Sequence, residues 1–342
     1  MTSYFLRRLL LVIPTFLGIT LLVFGITRMT PGGPVEKIIS QGQQAMGEGA
    51  GGGGSDDRVR GQALSDEQIA DLKAQYNFDK PIHIQYGIWL GKLLSGNLGD
   101  SYRYQEPVWD LIKDRLTVST YYGVMTMIIT YLVCIPLGVF KALKHKSTFD
   151  NMSSVLVFTG FSIPSFVMAI ILLFIFAANL EWFPLGGFYG DEYDDMGYWE
   201  QILNILYHSV LPLGAYLFGS FAVMTVMMKN SLMDNLASDY VRTAISKGIY
   251  FPTAVRKHAL RNSLIPIATH FGNNISVFLT GSFLIEKIFD IDGMGLLGYE
   301  SVLERDYPVV MGILVVSSLL LLIGNILSDV CVAIVDPRIK FD

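Results

Sequence analysis

The chain has 342 residues, 51% of them hydrophobic and only 16% charged, and its mean hydropathy is +0.44. So much apolar surface with so few charges excludes an ordinary soluble domain and points to the membrane class. The formal net charge is −5 and no basic patch faces outward, so nucleic acid is not an expected partner. The two cysteines, Cys134 and Cys331, both fall in apolar runs, which excludes a disulfide framework and a metal site built on them.

Six apolar segments are expected to cross a bilayer: Leu9–Thr27, Val118–Val139, Ser153–Ala178, Val210–Met228, Leu264–Ile285 and Val309–Ile334. At ~1.5 Å rise per residue the shortest spans roughly 28 Å, about the hydrocarbon thickness. The fold class is therefore an all-α membrane protein with six transmembrane helices. Residues 1–29 form an N-terminal helix and 30–117 an extramembrane insertion. Residues 118–334 form a five-helix core with a long loop at 229–262, and 335–342 form a tail.

In chain order, Arg7 and Arg8 precede the first apolar run as in a signal peptide. The run is longer than a signal core, and Arg28-Met29-Thr30-Pro31 offers no small-x-small cleavage site, so it reads as a retained anchor. The insertion begins with Gly42–Gly54, a composition that cannot bury a core and reads as a mobile linker. Ser65-Asp66-Glu67-Gln68 is a capping-box pattern expected to open a helix through Gln75. Tyr76, Phe78, Ile82, Tyr86, Trp89, Leu90, Leu93 and Leu94 then predict a small helical subdomain on the membrane surface.

Orientation follows from lysine and arginine in short loops. Phe140–Met152 carries Lys141, Lys144 and Lys146. Lys229–Asn262 carries Lys229, Arg242, Lys247, Arg256, Lys257 and Arg261, and the tail carries Arg338 and Lys340. The alternating Asn179–Ser209 segment has neither Lys nor Arg. Both termini and both basic loops are expected in the cytoplasm. The insertion, the acidic Asn179–Ser209 loop and Glu286–Pro308 are expected on the other side. Aromatic residues such as Trp182, Tyr189 and Trp199 in the acidic loop suit the membrane interface.

No motor is legible in the chain. Its one Gly-Lys pair, Gly91-Lys92, is followed by Leu93, whereas a phosphate-cradling P-loop requires Ser or Thr there. An ion-driven carrier places ionisable groups at mid-membrane, and here only His270 lies well inside a span. A secondary carrier and a non-transporting scaffold are the alternatives weighed. The fifth span is the most polar, with His270, Asn273, Asn274, Ser276, Thr280 and Ser282. These must face either a partner helix or an aqueous translocation path, because lipid would leave them unsatisfied.

The Lys229–Asn262 segment is too long for a turn. Asn235 or Ser238 can cap a short helix through Ile245 or Lys247, and Gly248 stops it. Phe251-Pro252-Thr253 restarts a helix through Arg261, back toward the membrane. Such a helix–Gly–helix presents Tyr240, Val241 and Ile245 as a knob for a protein partner.

Asp239-Tyr240-Val241-Arg242-Thr243-Ala244, then Gly248, then His258-Ala259-Leu260-Arg261-Asn262-Ser263-Leu264-Ile265-Pro266 resembles the coupling motif of ABC importer permeases. Further blocks, in the same order, resemble the oligopeptide/dipeptide permease family. They include Arg7-Arg8-Leu9, Pro31-Gly32-Gly33-Pro34, Phe78-Asp79-Lys80-Pro81 and Ile163-Pro164-Ser165-Phe166. Glu286-Lys287-Ile288-Phe289, Gly293-Met294-Gly295, Arg305-Asp306-Tyr307-Pro308 and Asp336-Pro337-Arg338 complete the series. The likeness covers nearly the whole chain and is closest to the Yej-type branch, which imports peptides, including antibiotics of the microcin C kind. Where the motif has Glu-Ala-Ala, this chain reads Arg242-Thr243-Ala244, as is common in the peptide branch.

The resemblance implies a type I importer permease in the bacterial inner membrane, not itself an enzyme. Its expected partners are a second homologous permease, two cytoplasmic ATPase domains that bind ATP and Mg, a periplasmic peptide-binding protein and the peptide. No cofactor is expected in this chain. ATPase coupling is assigned to Ser238, Asp239, Tyr240, Val241, Arg242, Thr243, Ala244, Lys247, Gly248 and His258. The translocation path is assigned to His270, Asn273, Asn274, Ser276 and Thr280.

Overall fold

The computed structural model describes residues 2–29, 79–279 and 281–335. The Gly-rich linker, the helix expected from Ser65, Thr280 and the tail from Asp336 lie outside the described residues. Among the described residues the protein is helical, with one isolated bridge between Asp100 and Pro107. The chain divides into two compact units, Pro14–Lys113 with Gly298–Val316, and Met1–Ile13 with Asp114–Leu297 and Ser317–Asp342.

Four helices among the described residues are long and apolar enough to cross a membrane. They are α1 (Thr2–Met29), α3 (Val108–Leu143), α6 (Tyr198–Ala237) and α13 (Tyr307–Val335). The segment read as one span at Ser153–Ala178 is instead a broken pair. α4 (Thr148–Ser162) meets α5 (Ser165–Leu172), continued by a π-helical stretch Leu173–Asn179, at a bend of 97°. The cause is Pro164, which lacks an N–H and pushes its predecessor out of the helical region. Ile163 accordingly sits at φ −95°, ψ 122°. Counting that pair as one span gives five. The segment at Leu264–Ile285 contains α10 (Ile265–Leu279), only 15 residues long.

The smaller unit holds α2 (Ile82–Leu94), whose Tyr86 and Trp89 rings lie 5.5 and 5.6 Å from Phe24. Asp306, 1% exposed, accepts hydrogen bonds from Ser101 Oγ at 2.5 Å and from the backbone N–H groups of Tyr102 and Arg103. That carboxylate fixes the loop after α2.

Among its described residues the larger unit has two apolar clusters. One gathers Tyr122, Leu211, Leu213, Ile285, Phe289 and Ile291. The other gathers Cys134, Met224, Met228, Leu232, Val241, Ala259 and Ile267. Helices cross closely where glycine removes the side chain. A Cβ on Gly138 of α3 would lie 2.6 Å from Met228 Cβ on α6, and one on Gly272 of α10 would collide with the Gly324 carbonyl oxygen of α13. Leu22, Leu132 and Leu156 stay largely exposed, as lipid- or partner-facing side chains must in a membrane protein.

Candidate functional site

The polar segment after the fourth apolar run is not a loop at its start. α6 continues helically past Met228 to Ala237, because Lys229–Ala237 contains neither Gly nor Pro and a helix need not end where its apolar face ends. Ser238 interrupts it in an extended conformation, φ −75° and ψ 151°, and makes no side-chain cap. Its hydroxyl donates back to the Asn235 carbonyl instead.

The next helix, α7 (Asp239–Ser246), is strongly two-faced. Val241 is fully buried and Ala244 nearly so. Asp239, Tyr240, Arg242, Thr243, Ile245 and Lys247 are exposed. Val241 therefore does not belong to the outward knob. It joins the cluster around Met228 and Leu232 and anchors the helix.

Gly248 stops α7 at φ +88°. Its N–H donates to Ile245 O at 2.9 Å and the Ile249 N–H to Ala244 O at 3.2 Å, the paired bonds of a Schellman C-cap. An added Cβ would meet nothing within 4 Å, so glycine is required there by backbone conformation, not by space.

The chain returns through α8 (Phe251–Ala254), a π-helical turn Val255–Ala259 and α9 (Leu260–Ser263) into α10. Tyr240 Oη donates to Asn235 Oδ1 at 2.5 Å and accepts from Asn262 Nδ2 at 3.0 Å. Ser231 and Ser263 exchange hydroxyl-to-carbonyl bonds. These ties hold α7 rigidly on α6 and α9 while leaving its polar face open. His258 is half-buried in the π turn. The structure thus brings Ser238, Asp239, Tyr240, Arg242, Thr243, Lys247 and Gly248 onto one small element, with Val241 and Ala244 beneath it.

The expected translocation residues are not gathered in the same way. His270 is exposed on α10, and Asn274, half-buried, donates to Tyr131 Oη at 3.3 Å. The side chains of Asn273 and Ser276 lie outside what is described.

Two charged residues escaped the sequence reading as sites. Asp150, 2% exposed, binds Lys229 Nζ through both carboxylate oxygens at 2.7 and 2.8 Å and Lys141 Nζ at 3.2 Å. Lys141, one of the basic residues of the Phe140–Met152 loop, is 1% exposed. Glu286 of α11 (Phe283–Ile288) is also 1% exposed. It accepts from Leu296 N of α12 (Met294–Leu303) at 2.7 Å, Ser282 N at 3.0 Å and Tyr216 Oη at 3.5 Å. Gly281 and Gly293 leave the room its carboxylate fills. Burial pushes this carboxyl up to about 7, against the downward pull of those hydrogen bonds. The available signal was an acid after apolar Phe283-Leu284-Ile285, in a stretch bounded by Gly281 and Gly293.

Residues 134–341 match the family described as binding-protein-dependent transport system inner membrane component. The chain is 39% identical over 360 residues to the peptidoglycan transport system permease protein YejB of Agrobacterium fabrum, covering 100% of this chain and 99% of that one. It is 40% identical over 362 residues to the inner membrane ABC transporter permease protein YejB of Escherichia coli O157:H7, with 100% of each covered. The oligopeptide transport system permease protein AppB of Bacillus subtilis is 34% identical over 342 residues, again with 100% of each covered.

Proposed function

Because the chain belongs to the family of binding-protein-dependent transport system inner membrane components, we propose that it is a permease subunit that moves peptides through an ATP-driven importer. The oligopeptide transport named for its Bacillus subtilis relative supports a peptidic cargo. The carrier and scaffold alternatives lose to this reading, since the Escherichia coli relative is an ABC transporter permease.

One observation carries the mechanism. α7 is bolted down through Val241, Ala244 and Tyr240 Oη while Asp239, Arg242, Ile245 and Lys247 face out. In our reading an ATPase grips that face. Its ATP-driven closure displaces α7, and the displacement rocks the helices between two states. Such coupling requires a contact that differs between the states, not merely a tight one.

The rest of the assembly follows from the same reading. Six spans cross the inner membrane with both termini cytoplasmic. A second homologous permease completes the pore, two ATPase domains supply ATP and Mg chemistry, and a periplasmic binding protein delivers the peptide. His270, Asn273, Asn274, Ser276 and Thr280 are assigned to the path. The test is Gly248→Asp in the reconstituted complex. We expect assembly to survive and stimulation of ATP hydrolysis by loaded binding protein to collapse. Full stimulation in an assembled variant defeats the coupling assignment.

A further inference from the structure

Asp150 lies outside the element that meets the ATPase, yet it is the charge to which three helices are fastened. It sits in the first turn of α4. Lys141 reaches it from the last turn of α3, donating also to the Asp150 carbonyl at 2.9 Å and to Ser153 and Ser154 hydroxyls at 2.7 and 2.8 Å. Lys229 reaches it from α6 with a two-oxygen grip. The backbone N–H of Lys146 adds a bond at 3.1 Å, and His145 Nδ1 lies 3.4 Å away. Breaking one arm of such a buried network strands an uncompensated charge. The network therefore ties the three helices at one point through directional charged contacts.

Its position gives that resistance a use. Lys229 lies on the same continuous helix that ends at Ala237 and hands on to α7. The distance along the axis is roughly 12 Å at ~1.5 Å per residue. α4 runs from Asp150 at one end to the Ile163–Pro164 break at the other, and that break turns the chain by 97°. Near the break, Gly160 of α4 lies against Phe218 of α6, where an added Cβ would stand 3.3 Å from the ring. α4 is thus fastened to α6 by charge at one end and jointed at the other.

We propose that Asp150 is a positioning residue for transport: by holding Lys229 and Lys141 together, it makes α3 and α4 follow α6 when α7 is displaced. The joint at Ile163–Pro164 takes up the resulting swing of α4. The inference rests on α7 being the element the ATPase moves.

The experiment uses the reconstituted complex and reads the ratio of binding-protein-stimulated to basal ATP hydrolysis. Asp150→Asn keeps the volume and removes the charge. Lys229→Gln, at a side chain 15% exposed, removes one arm and leaves the Lys141 contact, so it serves where Asp150→Asn fails to assemble. Each should lower the ratio by at least about fivefold, the low end of ordinary coupling between sites. Asp150→Glu, which restores a carboxylate, should recover most of it. A residue needed only for folding would lower basal and stimulated rates in proportion, and that outcome in assembled complex overturns the proposal. Gly248→Asp runs alongside. If it keeps full stimulation, the ATPase-docking reading fails. If it loses stimulation while Asp150→Asn and Lys229→Gln keep theirs, only the role given to Asp150 fails.

Discussion

Gly272→Ala and Gly87→Ala are the same chemical change with opposite expected consequences. Gly272 lies where α10 crosses α13. An added methyl would collide with the Gly324 carbonyl oxygen and stand 2.8 Å from Ser328 Cβ. Ser328 Oγ further pins the crossing by donating to the carbonyls of Ala268 at 3.1 Å and Thr269 at 2.6 Å. Overpacking ordinarily costs about 1–3 kcal/mol, and backbone that cannot rotate away places this site near the upper figure. Alanine returns up to about 1 kcal/mol of helix propensity, leaving a net loss of roughly 2 kcal/mol. Gly87 lies exposed within α2, with nothing within 4 Å of an added Cβ. There the propensity gain of up to about 1 kcal/mol stands alone. Thermal unfolding of the two purified variants, in one detergent against the parent chain, should separate them by roughly 3 kcal/mol, on the same balance of overpacking and propensity. Gly272→Ala unfolding no earlier than Gly87→Ala would refute the close crossing.

Other expectations follow from single sites. Val241→Ala should destabilise the chain by about 2 kcal/mol, since each buried CH₂ is worth ≈0.8 kcal/mol before any cavity term. Arg242→Ala should leave unfolding unchanged and weaken ATPase association, measured by co-purification. Gly248→Ala should cost about 1–2 kcal/mol for a left-handed backbone, seen as faster hydrogen exchange at the last amides of α7. Glu286, held up near 7 by burial, binds its proton more tightly folded than unfolded. Its contribution to stability is therefore full below about pH 4.5, declines as pH rises, and stays low above about pH 7. Thermal midpoints taken from pH 5 to 8 should fall for the parent chain, and Glu286→Gln should remove that part of the slope.

The sequence made some of this legible because the controlling physics is local. Apolar runs long enough for a bilayer announced α1, α3, α6 and α13. The Gly248 stop was readable because only glycine takes φ +88° cheaply. Two misreadings share one source, the use of hydropathy as a proxy for backbone conformation. Pro164 sits in the middle of an apolar run, and averaging over the run hid a break that the dipeptide Ile163-Pro164 itself signals. Lys229–Ala237 is polar, so it read as loop, yet nothing in it stops a helix. Val241 shows the complementary gap. A short amphipathic helix announces two faces, but which one is buried depends on what it meets, here Met228 and Leu232.

Charge counting met the same limit. Lys141 and Lys229 count among the basic residues that orient the chain toward the cytoplasm, and that use of them is a matter of composition alone. Their burial is a matter of one acid, and that acid lies 79 residues from Lys229 along the chain. Asp150 is itself a first-turn acid three residues after the cap Ser147, whose hydroxyl accepts the Asp150 N–H at 3.3 Å. A helix-start pattern accounts for an aspartate there without calling for any distant partner. What distinguishes Asp150 is that two lysines from different helices, one at each side of it in sequence, converge on a carboxylate from which water is excluded. Neither lysine could be buried without it. That two basic residues follow the ends of apolar runs is thus locally readable, while their joint dependence on a single anion arises only from the way α3, α4 and α6 are brought together.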